Sequence, residues 1–152
     1  MRSAVIRLPG EGEKITGYFG RSFIIKAHAP ETKSAYSLTE FTAPPGAPRS
    51  DHHVHEAEEA WYVVEGELAF WIGGESFTAP PGSFVLAPGG VPHSTANTGS
   101  MPAKYLVFFS PPGLERFLVE RARLVEGARS GSVSQEALDA LVGKYGIRNT
   151  PS

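Results

Sequence analysis

The 152-residue chain contains no cysteine. That excludes a disulfide framework and any thiolate metal site, leaving histidine and carboxylate as the good ligands available, and it suits a reducing compartment. Neither sign of charge dominates: 14 Lys and Arg face 16 Asp and Glu, for a formal net charge of −2. The basic residues are scattered, so there is no electrostatic footprint for a nucleic-acid backbone or an anionic membrane. Eighteen apolar residues nowhere run together, and the opening "MRSAVIRLPGEGEK" lacks the apolar centre of a signal peptide. These absences predict a cytoplasmic protein whose partners are small molecules or other proteins, with no nucleic acid and no membrane.

What is abundant is punctuation. Seventeen glycines and 13 prolines separate short runs rich in Val, Ile, Phe, Tyr and Trp, the pattern of an all-β sandwich or barrel. Strands are expected over residues 4–8, 14–19, 23–27, 36–42, 52–55, 57–65, 67–72, 75–78, 84–87, 92–96 and 104–110. Past Ser110 the period changes. "GLERFLVERARLVEG" sets Leu114, Phe117, Leu118, Leu124 and Val125 on one helical face, and "SVSQEALDALVGKYG" does so with Leu138, Leu141, Val142 and Tyr145. Ser132 followed by Gln135 reads as a capping box, Gly146 as a helix stop, and "GARSGS" as the joint between the helices. The length fits one domain: a β-barrel over residues 1–112 with a helical tail over 113–152, packed on the barrel or across a subunit contact. Exposed edge strands and apolar helix faces predict a homodimer.

The titratable groups crowd into "DHHVHEAEEAWYVVEG", residues 51–66. On a strand, side chains two apart share a face, so His53 and His55 point one way and His52 the other. Glu59 has the parity of His53 and His55 if the register holds across the intervening turn, and Glu58 then faces outward. Taken alone, two imidazoles and a carboxylate fit a metal half-site or a polar strand end equally. A second stretch, "GSFVLAPGGVPHSTAN", residues 82–97, brings His93 to the start of another short strand.

Taken together, the two stretches make the chain resemble the cupin superfamily. His53, His55, Glu59 and Gly66 stand at the spacings of the first cupin motif, and Gly82, Pro88, Gly90, His93 and Asn97 match the second without a gap. Gly46, the leading glycine of the first motif, stands one residue too far from His53. Residues 39–111 carry the resemblance. It implies a single jelly-roll β-barrel holding one divalent transition metal per chain on His53, His55, Glu59 and His93. Gly66, Gly82 and Gly90 serve as turn positions, and Asn97 as a bonder of backbone near the ligand strand. Three imidazoles and a carboxylate suit Fe, Mn, Ni, Co or Zn rather than Mg or Ca. Four ligands on an octahedral ion leave two positions for a substrate oxygen and for water or dioxygen.

With its single domain, short spacing between the motifs and "GLERFL" helix after the barrel, the chain looks similar to quercetin-dioxygenase-like bacterial cupins. That implies oxidation of a small enolisable or phenolic substrate by dioxygen, with Glu59 as catalytic base. Similar chains act as lyases, decarboxylases, isomerases or polyketide cyclases, and others bind ligands without catalysis. Trp61 and Val63, in phase with Glu59, belong to the core or to a pocket wall. Phe70 is a core residue that is also a pocket candidate, as are Tyr36 and Glu40 on one face of the preceding strand. Phe84, Phe108 and Phe109 are assigned to the core, His28 and Arg49 to loops, and His52 to an exposed or supporting position.

Overall fold

A computed structural model describes residues 1–128 and 132–152 of the chain. Eleven strands are found among the described residues: β1 (Glu13–Tyr18), β2 (Arg21–Ala27), β3 (Ser37–Ala43), β4 (His53–Val54), β5 (Glu58–Glu65), β6 (Leu68–Ile72), β7 (Glu75–Ala79), β8 (Phe84–Ala87), β9 (His93–Ala96), β10 (Ala103–Ser110) and β11 (Arg148–Asn149). A 3₁₀ turn (Ala29–Thr32) and two helices, α1 (Leu114–Gly127) and α2 (Gln135–Lys144), complete the chain. The strands form two antiparallel sheets, ordered β1-β2-β3-β10-β5-β8 and β11-β4-β9-β6-β7. Together they make the expected jelly roll.

Alternation builds the interior. β3 buries Ser37, Thr39, Phe41 and Ala43, while Leu38, Glu40 and Thr42 lean outward. Register then lines up inward residues across the larger sheet, so that Trp61 lies beside Val107, Val107 beside Thr39, and Thr39 beside Ile25. Each large apolar side chain buried in this way contributes about 1.5–3 kcal/mol. Three glycines are required by close approach: a Cβ on Gly12, at φ 133°, would stand 2.5 Å from the Ile25 carbonyl oxygen. A Cβ on Gly66, at φ 69°, would stand 2.2 Å from the Pro102 carbonyl oxygen, and one on Gly89 would stand 2.0 Å from that of Glu56. Asn97, also buried, donates to the carbonyls of Ala43, Pro44 and Met101 at 2.8–3.1 Å, tying the end of β3 to the turn before β10.

The tail folds back onto the barrel. Leu114, Phe117, Leu118, Val119 and Ala122 of α1 are buried in the same cluster as the barrel interior. α2 lies further out, with Leu141, Val142 and Tyr145 only leaning on that cluster. Gly146, at φ 68°, turns the chain after α2, Ile147 is buried, and β11 pairs with β4. No helix among the described residues is long and apolar enough to cross a membrane.

Several expectations are corrected. Residues 4–8 form no strand; they run beside β2, held by Arg7, which donates to the Lys26 carbonyl and pairs with Glu31. The helix cap is Ser134, whose hydroxyl accepts from the Ala137 amide, because a cap must immediately precede the first turn and Ser132 stands too early. Part of the "GARSGS" joint lies outside the described residues. Val125 and Phe84 are exposed, the latter because β8 is an edge strand whose outer face no described residue covers. Phe108 also points outward. β11 escaped the sequence reading because two polar residues carry no alternation.

Candidate metal centre

The two sheets meet at one end of the barrel, and the four motif residues come from both. β4 supplies His53 and β9 supplies His93, directly paired across the smaller sheet. β5 of the larger sheet supplies Glu59, and His55 sits in the connection between β4 and β5. That connection is held by the turn after β8, where the Gly90 amide donates to the His55 carbonyl at 2.8 Å. Gly89 lets this turn lie against Glu56. One ligand atom from each of the four residues lies within 4.8 Å of all the others.

The hydrogen bonds fix which atoms converge. Nδ1 of His53 lies 2.7 Å from the Asp51 carbonyl, that of His55 2.9 Å from Ala57, and that of His93 2.9 Å from Val91. A carbonyl only accepts, so each Nδ1 carries a proton and each Nε2 is the atom left for the cluster, with a lone pair wherever the ring is neutral. Yet Nε2 of His55 and of His93 lie 3.0 and 2.8 Å from the same oxygen, Oε2 of Glu59. Lone pairs facing a carboxylate oxygen at that distance repel unless a cation lies among them. A proton serves, and so does a metal ion: bonds of about 2.0–2.2 Å would need only small shifts of these side chains. The donor set therefore fits a divalent transition ion.

Electrostatics agree. Burial and the neighbouring His93 drive His53 down to about 4, outweighing the pull of Glu59, so it is neutral and able to ligate at ordinary pH. Burial works to lower His93 and to raise Glu59. Mutual attraction, with that of His55 on Glu59, overrides it, so that His93 is raised and Glu59 held well below the usual carboxylate range.

A cavity opens from this cluster into the barrel. It encloses about 530 Å³ of atom-free space including its mouth, of which about 40 Å³ admits the centre of a water molecule. That is room for a few waters. Trp61 and Phe109 form walls, and Leu114, Phe117, Leu118 and Ile147 from the tail close the roof.

Of the residues named as substrate candidates, Trp61 lines the cavity, and its ring centroid lies 5.4 Å from that of His93. Phe70 is fully buried behind Trp61, at 5.3 Å between centroids, and does not line it. Tyr36 and Glu40 do share a face, but it is the outer one. Tyr36 lies beside Phe108, with ring centroids 6.4 Å apart, because the in-phase residues of β3 are the odd-numbered ones. Val63 is buried without lining the cavity. Arg49 is no solvated loop charge: it donates to Ser94 at 2.7 Å and lies 4.2 Å from the Trp71 ring centroid. His52 also reaches the Ser94 hydroxyl, at 3.1 Å. His28 precedes the 3₁₀ turn.

Sequence reading missed Tyr18, Arg21, Thr95, Tyr105 and the tail's contribution to the cavity. Arg21 left a signal, since it is in phase with the apolar Phe23 and Ile25 of the same strand.

Residues 39–109 match the family model described as "Cupin domain". The chain carries a cupin domain. An uncharacterized protein of Methanocaldococcus jannaschii is 32% identical over 76 residues, 50% of this chain and 61% of that protein, so the match takes in less than two thirds of the relative's length. Among solved structures, the polyketide cyclase RemF from Streptomyces resistomycificus superposes with a TM-score of 0.60 at 23% identity, over 74% of this chain and 81% of RemF. An RmlC-like cupin from Shewanella frigidimarina does so with a TM-score of 0.65 at 18% identity, over 76% and 97% of the two chains. At such identities these likenesses speak to the fold.

Proposed function

We propose that this cupin is a metal-dependent enzyme that oxidises a small enolisable or phenolic compound with dioxygen. His53, His55, Glu59 and His93 hold one divalent ion per chain. The observation that carries the reading is the convergence of Nε2 of His55 and His93 on one carboxylate oxygen while all three imidazoles spend Nδ1 on backbone carbonyls. Such an ion supplies Lewis acidity and open positions for a substrate oxygen and for dioxygen.

Glu59 is the proposed base. Its Oε2 faces the imidazoles, and Oε1 makes no hydrogen bond among the described residues, leaving it free to take a substrate proton. A carboxylate held this low is a weak base, so the step needs a hydroxyl already acidified by the ion. An enol or phenol meets that condition, and a simple alcohol does not. Trp61, Phe109 and the tail roof exclude water around the reacting atoms. The test is oxygen uptake by iron-, manganese-, nickel- and cobalt-loaded protein over a panel of diketones, flavonols and catechols. Uptake with at least one compound is expected, retained in part as metal content but lost as activity in Glu59→Gln. Product formation without oxygen uptake would favour a lyase, isomerase or cyclase on the same site, and unchanged uptake in Glu59→Gln would refute the base.

We further propose a homodimer. The apolar faces of α1 and α2 turn toward the chain's own barrel, so the support lies elsewhere: Tyr62 and Val64 on β5, with Phe84 and Leu86 on the edge strand β8, are exposed side by side. Sedimentation of wild type and Phe84→Glu at micromolar concentration tests this; a wild type that is monomeric refutes it.

A further inference from the structure

The hairpin β1–β2 sends two polar side chains into the cavity at a distance along the chain from the metal ligands. Residues 19 and 20 form its two-residue turn, both at positive φ, 48° for Phe19 and 75° for Gly20, the geometry that suits a tight hairpin. Tyr18 and Arg21 are therefore directly opposed across the pair. Alternation along β1 would point Tyr18 outward, since Glu13 and Ile15 are the more buried positions. Instead the register shifts between Thr16 and Tyr18, at Gly17 with φ 91°, and this bulge turns Tyr18 inward.

Tyr18 is 9% exposed, and it lines the cavity beside Phe41, Arg21 and Tyr105. Its hydroxyl has no hydrogen-bond partner among the described residues, and it feels the charges of Arg121, Glu59 and Arg21. Burial raises its pKa, so the hydroxyl stays protonated and is available as a donor. Facing the cavity with no protein acceptor, the hydroxyl can donate to a ligand without breaking an existing hydrogen bond.

Arg21 supplies a second asymmetry. It is 2% exposed, and its donors go to the Tyr105 hydroxyl, the carbonyls of Phe19, Pro48 and Thr95, and the Thr95 hydroxyl. All of these are neutral. With a divalent ion in place, the cavity would hold the ion and Arg21 against the single carboxylate of Glu59, a formal surplus of about two positive charges.

We infer that Tyr18, in the field of Arg21, binds a second oxygen of the substrate, so that the ligand class is a small compound with two oxygen functions, at least one of them ionised. One oxygen goes to the ion and the other accepts from the Tyr18 hydroxyl. The inference rests on the metal reading above.

Zinc-loaded wild type and Tyr18→Phe, each checked for zinc content and melting temperature, are titrated calorimetrically with malonate, succinate and glutarate and with propionate, butyrate and pentanoate as one-ended counterparts. In the wild type at least one dicarboxylate should bind tenfold or more tightly than its counterpart. Tyr18→Phe keeps the ring and should retain zinc, leave monocarboxylate affinity unchanged, and shrink the preference to threefold or less. No preference in zinc-loaded wild type, or a preference untouched by the substitution, overturns the Tyr18 assignment alone; a loss of both ligand classes equally also overturns it. Failure of the wild type to take up zinc overturns the metal reading and this inference together.

Discussion

Nε2 of His93 lies 2.8 Å from Oε2 of Glu59, although Nδ1 of the same ring is committed to the Val91 carbonyl. Across this contact a proton and a bound metal ion would compete for one place. Metal binding must displace the proton that Glu59 helps His93 to keep, which makes the ion's hold dependent on pH.

The sign follows from the directions of the shifts. His93 is raised by Glu59, so in the metal-free fold its contribution is present below the ordinary histidine value of about 6.5 and is lost as pH rises through the raised value. The ion's hold moves the other way, weakening about tenfold per pH unit below that raised value. His53, at about 4, adds a second proton only in stronger acid. The gap in melting temperature between loaded and chelated protein should therefore widen from pH 5 to pH 8. A gap that narrows over this range contradicts the shared site.

Gly89→Ala should damage the site without touching a ligand. The added Cβ falls 2.0 Å from the Glu56 carbonyl oxygen, so the turn or the His55–Glu56 segment must move. A loss of about 1–3 kcal/mol in stability is expected, with metal affinity at least about tenfold weaker because a residue holding a ligand in place has shifted. Gly82→Ala, at φ 87° but with open space around it, should cost stability alone. Equal metal affinity in both variants would contradict the positioning role of the turn.

The four converging side chains were legible in the sequence because strand parity and motif spacing both report on them: His53, His55, Glu59 and His93 needed no knowledge of how the sheets close. The rest of the cavity depends on that closure. Tyr36 and Glu40 were rightly placed on a common face, but parity alone does not say which face is inside. Tyr18 turns inward through a bulge that reverses its parity, and a glycine is a weak announcement of a bulge. Ile147 reaches the cavity because β11 pairs with β4, through two residues without a pattern.

Phe117 tests the roof. It is buried against Tyr145, with ring centroids 5.8 Å apart, and lines the cavity. Phe117→Ala should cost about 3 kcal/mol, lowering the melting temperature by roughly 6–12 °C for a domain of this size. With zinc content unchanged, it should also admit longer carboxylates to the cavity. A variant as stable as wild type would mean that α1 does not close the barrel.

Arg7 and Glu31 hold the irregular N-terminal segment in place. The hydrogen bond from Arg7, then that from the His28 amide, keep Glu31 near 2, so this tether is present above the ordinary carboxylate range and is lost as pH falls toward 2. Arg7→Ala should cost less than about 1 kcal/mol of global stability, yet expose the segment around Arg7 to proteases at neutral pH. A segment equally protected in variant and wild type would show that the pair does not anchor it.

Everything proposed for the cavity depends on one divalent ion held by His53, His55, Glu59 and His93. Elemental analysis of protein expressed in metal-supplemented medium, wild type beside His93→Ala and His55→Ala, tests it most directly. Wild type should carry one transition-metal ion per chain, and each folded variant should lose most of it. Wild type without metal, or variants that keep a full equivalent, would contradict it.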